Sequence, residues 1–327
     1  MKKSVLASMI GVVSLLVACS SPHTPAPPDT AIPSDTTPAL GVVTYGTVNV
    51  SGVNVAYREA GAATAPTIVL LHGFPASSHQ YRNLIPLLAD RFHVIAPDYP
   101  GFGDSDSPAP TDYAYTFDNL AKTMEGFLGA KGISKFALYV HDYGAPVGWR
   151  VALNNPEAIT ALFIQNGIAY PDGISDALAP LQAYWQDKVA GEAGARGFLT
   201  LGSTKSLYVT GSRDPAKLSP DTWTLDQARL DRPGIDVLQL ALFYDYQNNF
   251  AVFSQAQAFF RAKQPPTLIV WGEHDPLFLP AAAQAYSADL PGAQIHMLDA
   301  GHFALEDHVD DVAALMRRFA DDTPSLR

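Results

Sequence analysis

Six short, largely apolar runs, at 67–71, 93–96, 136–140, 159–164, 267–271 and 295–298, punctuate the chain. A strand that is apolar on both sides must be covered on both sides, the situation of strands in a parallel sheet. Helical patterns fall between them, near 79–89, 117–128 and 146–154. A last helix is expected at 309–319. Such alternation predicts an α/β fold, with a mostly parallel central sheet and helices on both faces. Ahead of the first run, two β-rich stretches between Tyr45 and Glu59 flank Ser51-Gly52, which predicts a leading hairpin. The rhythm fails from 169 to 263, where the sequence is rich in aromatics, helix-like and without a convincing buried strand. It resumes at 267–271 and continues through 281–290. The economical organisation is a core of residues 41–168 and 264–327, interrupted by a helical cap at 169–263.

A chain of 327 residues can bury a core of this size. A formal net charge of −11, with no cluster of Lys and Arg, speaks against nucleic acid or an anionic lipid surface as partner. The N-terminus is expected to be a targeting device. Lys2 and Lys3 precede an apolar stretch that is short for a bilayer span, and it ends in Leu16-Val17-Ala18-Cys19. That ending resembles the lipobox of bacterial lipoproteins. The resemblance implies a signal peptide of residues 1–18, lipidation of Cys19 and a location in the cell envelope, with Ser20 and Ser21 pointing to the outer membrane. Cys19 is the sole cysteine, so no disulfide forms within the chain. From 19 to 40, prolines at 22, 25, 27, 28, 33 and 38 favour an extended tether over a packed structure.

The chemistry centres on Tyr139-Val140-His141-Asp142-Tyr143-Gly144-Ala145-Pro146-Val147-Gly148, which leaves one strand and opens a helix. A sharp turn there lifts its middle residue, Asp142, above the end of the sheet, where the helix N-terminus favours negative charge. An aspartate in that position also serves as a helix cap. Its partners decide between the roles. The run 267–271 leads into Gly272-Glu273-His274-Asp275-Pro276, and 295–298 leads into Asp299-Ala300-Gly301-His302-Phe303. Asp275 and His302 therefore both stand just past the carboxyl ends of parallel strands, where active sites of open α/β sheets assemble. No Gly-x-Ser-x-Gly occurs. No zinc-ligand spacing links the histidines, so His72, His141 and His274 are read as local hydrogen-bonding residues.

With nucleophile, acid and histidine in that order, and Leu71-His72-Gly73-Phe74-Pro75 after an early strand, residues 67–319 outside the insertion resemble α/β-hydrolases. The closest likeness is to the branch of epoxide hydrolases and haloalkane or haloacetate dehalogenases, where Asp replaces Ser. The resemblance implies a covalent ester on Asp142, formed and then hydrolysed with His302 as base and Asp275 as its orienting partner. The backbone N–H groups of Phe74 and Tyr143 would hold the oxyanion, and neither cofactor nor metal is required. Asp fits this chemistry. A serine attacking saturated carbon would leave an ether that His and water cannot cleave, whereas a carboxylate, ionised at neutral pH in its ordinary range, leaves a cleavable ester.

The expected substrate is a small apolar molecule, and water is the second reactant. Epoxide hydrolysis to a diol is the first expectation, because Phe243-Tyr244-Asp245-Tyr246-Gln247-Asn248-Asn249 resembles the segment that carries a cap tyrosine in epoxide hydrolases, with Tyr246 at the matching position. A second cap donor is sought among Tyr184, Trp185 and Tyr208, although one offset places Leu181 there. Tyr143 and Phe74 stand where haloalkane dehalogenases commonly carry Trp and Asn. Bulky Val140, as in many of those enzymes, points the other way. Haloalkane or haloacetate dehalogenation is the alternative within the fold, and a non-catalytic lipoprotein that binds small molecules is the alternative outside catalysis.

Overall fold

A computed structural model describes residues 41–327. The expected signal peptide and tether, with Cys19, lie outside the described residues. Eight strands form one sheet in the order β1-β2-β4-β3-β5-β6-β7-β8. They are β1 (Thr44–Val50), β2 (Val53–Ala60), β3 (Thr67–Leu71), β4 (His93–Pro97), β5 (Phe136–His141), β6 (Ile159–Gln165), β7 (Thr267–Gly272) and β8 (Gln294–Leu298). The pairs β1–β2 and β2–β4 are antiparallel and all others are parallel. The leading hairpin turns through Ser51 and Gly52 at φ 50° and 93°. Positive φ at both central residues gives the turn a twist that matches the strands it joins.

Successive strand residues point to opposite faces, and both faces are apolar. Ile68, Leu70, Ala137, Tyr139, Leu268 and Val270 belong to one core. There they meet α1 (Leu84–Leu88) and the final helix, and Leu84, Leu88, Val312 and Met316 are all buried in the same cluster. Val69, Leu71, Leu138, Val140, Ile269 and Trp271 line the other core. It is packed by α2 (Phe117–Ala130), α3 (Gly144–Asn154) and residues of the insertion. Between β6 and β7 come α4 (Ala179–Gln186), α5 (Lys188–Gly197), α6 (Leu201–Val209), α7 (Asp221–Leu230), α8 (Ile235–Asp245) and α9 (Asn249–Lys263). After β7 follow α10 (Pro280–Ala285) and α11 (Ala304–Asp321).

One boundary differs from expectation. The helix expected near 79–89 is a 3₁₀ turn over Ser78–Tyr81 followed by the single turn of α1. Pro86 has no N–H to donate to the carbonyl four residues back, so it fits only the opening of a helix and breaks continuity with residues before it. The last helix is kinked at His308 (φ −134°, ψ 31°), so the helix expected from near 309 follows the kink, and a short helical segment before it begins directly behind His302-Phe303.

Candidate active site

Asp142 stands at the end of β5 with φ 48°, a left-handed conformation that Asp tolerates better than most non-glycine residues. Its neighbours explain how the chain closes around it. A Cβ on Gly144 would run into the Leu71 backbone carbonyl, and one on Gly73 would strike the Asp142 side chain. Small residues at both positions allow the loop after β3 and the turn after β5 to touch. The capping role is excluded by geometry. No side chain caps the start of α3, and Asp142 Oδ1 instead accepts the Phe74 N–H at 2.7 Å.

Asp275 and His302 follow β7 and β8, neighbouring strands in the sheet. His302 Nδ1 lies 2.8 Å from Asp275 Oδ2. The same oxygen accepts Asn166 Nδ2 at 2.7 Å, and Asp275 Oδ1 accepts the N–H groups of Leu277 (2.7 Å) and Phe278 (3.1 Å). With its carboxylate ringed by donors, Asp275 selects the His302 tautomer that carries its proton on Nδ1. That leaves Nε2 as a base. His302 Nε2 is buried without a hydrogen-bond partner and lies 3.8 Å from Asp142 Oδ2. The three residues that sequence order suggested therefore converge on one point.

The electrostatics run against intuition in one respect. Burial is the largest influence on Asp142 and lifts its pKa above the ordinary carboxylate value, although His302 and the Phe74 and Tyr143 N–H groups pull it down. Asp142 is thus not the ordinary carboxylate its residue type implies. Burial alone would lower the His302 pKa, but the charge and hydrogen bond of Asp275, with Asp142 behind them, raise it. His141 is held neutral by burial and by the nearby His302; its Nε2 meets the His302 carbonyl at 3.0 Å and its Nδ1 meets Gln80 at 3.2 Å. His72 bridges its own loop, with Nδ1 on the Gly73 carbonyl (3.0 Å) and Nε2 accepting the Tyr99 N–H (3.2 Å).

Asn166 went unnoticed in the sequence. It follows β6 at φ 41°, and its Oδ1 accepts the Gly272 N–H at 3.1 Å while its amide holds Asp275. The available signal was an amide directly past a buried strand, the same location as Asp142, Asp275 and His302.

Asp142 opens into a small apolar cavity lined by Phe74, Tyr143, Leu178, Leu181, Trp185, Phe198, Leu207, Phe243, Tyr246, Leu277 and Phe278. Of the four cap residues singled out, Tyr246 and Trp185 line it. Tyr184 and Tyr208 do not, which corrects their placement against substrate. Tyr184 packs edge-on against Tyr244. Tyr208 stacks on Phe303 at 3.9 Å and gives its hydroxyl to Asp226 at 2.5 Å, a carboxyl that burial pushes up to about 7. The Trp185 N–H is taken by the Phe243 carbonyl at 2.7 Å. By contrast the Tyr143 and Tyr246 hydroxyls are buried without a partner. Each such hydroxyl costs roughly 1–3 kcal/mol unless something else bonds it. Among the described residues Glu273, His274 and Asp299 also approach closely enough to hold a cation, but all three are exposed, and the Asp299 carboxylate already meets His274 Nε2 at 3.1 Å.

Comparison with known proteins agrees with this geometry. A family model described as the alpha/beta hydrolase fold matches residues 66–309, and the chain belongs to that family. It is a hydrolase with aspartate at the elbow, the branch of epoxide hydrolases and dehalogenases. An uncharacterized hydrolase of Saccharomyces cerevisiae is 43% identical over 80% of this chain and 91% of its own length. A haloalkane dehalogenase of Bradyrhizobium diazoefficiens is 28% identical over 80% of this chain and 91% of its own. The solved structure of an epoxide hydrolase without ligand superposes with a TM-score of 0.71 over 86% of this chain and 99% of its own, at 22% identity, a likeness of fold.

Proposed function

We propose that the protein hydrolyses small apolar epoxides to diols through an alkyl ester on Asp142. Oδ1 is held by the Phe74 N–H, so Oδ2 attacks an epoxide carbon; that C–O bond breaks and its electron pair stays on oxygen. In the second step His302 Nε2 takes a proton from water, and the hydroxide attacks Cγ of Asp142. Negative charge collects on Oδ1, which already accepts the Phe74 N–H, and the Tyr143 N–H is also directed at this carboxyl. Collapse breaks the bond from Cγ to the alkyl oxygen and releases the diol.

One observation carries the choice of epoxide. The Tyr246 hydroxyl is buried without a partner, and Tyr246 lines the same apolar cavity as Asp142. Burial lifts its pKa well above the usual tyrosine range, with the Asp142 charge adding to the effect, so it stays a proton donor. An opening ring needs such a donor on its oxygen. Carbon–halogen hydrolysis is the second reading, favoured by the dehalogenase among the relatives and by bulky Val140. Purified protein given styrene oxide should release the diol, and Tyr246→Phe should slow single-turnover ester formation by about 10²-fold. Halide release from haloalkanes with no diol would favour the second reading, and saturable binding without turnover would make the protein a binder.

Lipidation at Cys19 places this chemistry at the cell envelope. A clickable fatty acid fed to growing bacteria should label the full chain but not its Cys19→Ser variant; equal labelling of both would remove the anchor.

A further inference from the structure

Among the described residues, three tyrosine hydroxyls are buried with no hydrogen-bond partner: Tyr99, Tyr143 and Tyr246. Tyr99 does not line the cavity, whereas Tyr143 and Tyr246 do. The first cap helix contributes only Leu181, Trp185 and the adjoining Leu178 to the cavity wall, and the Trp185 N–H is already committed to a backbone carbonyl. That side of the cavity supplies no free donor. We propose that the Tyr143 hydroxyl is the second donor to the departing epoxide oxygen, so that this oxygen is gripped by one tyrosine from the cap and one from the core. The proposal rests on epoxide hydrolysis through Asp142.

Tyr143 is well held for the task. Its ring sits edge-on to Phe117 at 4.8 Å and Phe102 at 6.4 Å, and lies 5.9 Å from the Phe74 ring and 5.8 Å from that of Tyr246. The aromatic frame fixes the ring and, apart from the Tyr246 hydroxyl, offers its own hydroxyl nothing polar. Burial lifts the pKa of Tyr143 well above the usual tyrosine range, with Asp142 and Tyr246 adding to the effect, so it is a donor at any working pH. One residue thereby acts twice, through its backbone N–H on Asp142 and through its side chain on the leaving oxygen. The proton balance closes. As the ring opens, one phenol gives its proton to the alkoxide and the other hydrogen-bonds to it. Hydrolysis of the ester by water regenerates the Asp142 carboxyl with one proton in excess, and that proton returns to the phenolate.

Tyr143→Phe, Tyr246→Phe and the double variant, made in the full chain, separate the steps. Ester formation is followed by rapid quench with styrene oxide and mass analysis of the Asp142 peptide, and decay of the preformed ester is timed afterwards. Each single variant should form the ester about 10²-fold more slowly, the double variant should form none, and ester decay in the single variants should match the wild type. Melting temperature should not fall, since the lost hydroxyl had no protein partner. If Tyr143→Phe forms ester at the wild-type rate while the wild type opens the epoxide, the second-donor role is wrong and epoxide hydrolysis stands. Equal slowing of formation and decay would make Tyr143 a packing residue and overturn its role as donor. A wild type that opens no epoxide overturns both proposals.

Discussion

With His302 replaced by glutamine, the protein should still attack its epoxide but stop with the alkyl group attached to Asp142. Glutamine keeps the bulk of the side chain and its contact with Asp275, yet has no basic nitrogen with which to deprotonate water. The nucleophile needs no base in the first step, because a carboxylate attacks as it is. Ester formation should proceed within a few-fold of the wild-type rate, and steady turnover should fall by at least about 10³-fold. One equivalent of substrate mass would then accumulate on the Asp142 peptide. The 3.8 Å separation of His302 Nε2 from Asp142 Oδ2 agrees with this division of labour, since the two groups are neighbours without a bond between them. A variant that stays unmodified under saturating epoxide would rule out the two-step scheme. A variant that keeps turning over would remove His302 as the base.

Asp142→Asn should do two opposite things, abolishing activity and stabilising the fold. Asparagine occupies a left-handed backbone position as readily as aspartate, so φ 48° is no obstacle. Its carbonyl can still accept the Phe74 N–H. What disappears is the nucleophile and a buried charge. The sign follows from linkage. Burial lifts the folded-state pKa of Asp142 above its unfolded value, so the native state holds its proton more tightly than the unfolded chain does. Stability contributed by this residue is present at low pH and is lost as pH rises from the ordinary carboxylate value through the raised one. The penalty grows as Asp142 ionises in the folded state, and Asn removes it. The melting temperature of Asp142→Asn should exceed that of the wild type by a few degrees at pH 7, with the gap closing below about pH 4. Turnover should fall by at least about 10⁴-fold. A variant less stable than the wild type at pH 7 would show that the charge is fully compensated and that burial does not penalise it. The same shift sets the acid limb of ester formation above the ordinary carboxylate range, since only ionised Asp142 attacks.

The central strands were legible because burial on both faces demands largely apolar runs, a demand that few other structures make. Five of the parallel strands begin or end within one residue of their expected limits, and β3 matches at both ends. The convergence of Asp142, Asp275 and His302 was legible for a related reason: a residue just past a parallel strand is delivered to the same edge of the sheet as its counterparts, however far apart they lie in the chain. Tyr184 and Trp185 show where such reasoning stops. They are adjacent on α4, so they point roughly 100° apart, and both belong to an aromatic-rich stretch with no clean polar face. Trp185 reaches the cavity and Tyr184 turns to Tyr244, an outcome set by the rotation of the helix against the core. Tyr208 was diverted by a buried carboxyl eighteen residues on, at Asp226.

Sequence alone determined the α/β sheet, the identity of the elbow residue and its two partners, because strand burial and chain order constrain them locally. Only the packed structure decided which hydroxyls remain unbonded inside the cavity, that Asn166 steadies Asp275, and that Asp142 titrates above the ordinary range. Those properties depend on what surrounds an atom from every direction, and neighbours brought together across more than a hundred residues leave no periodic trace in the chain.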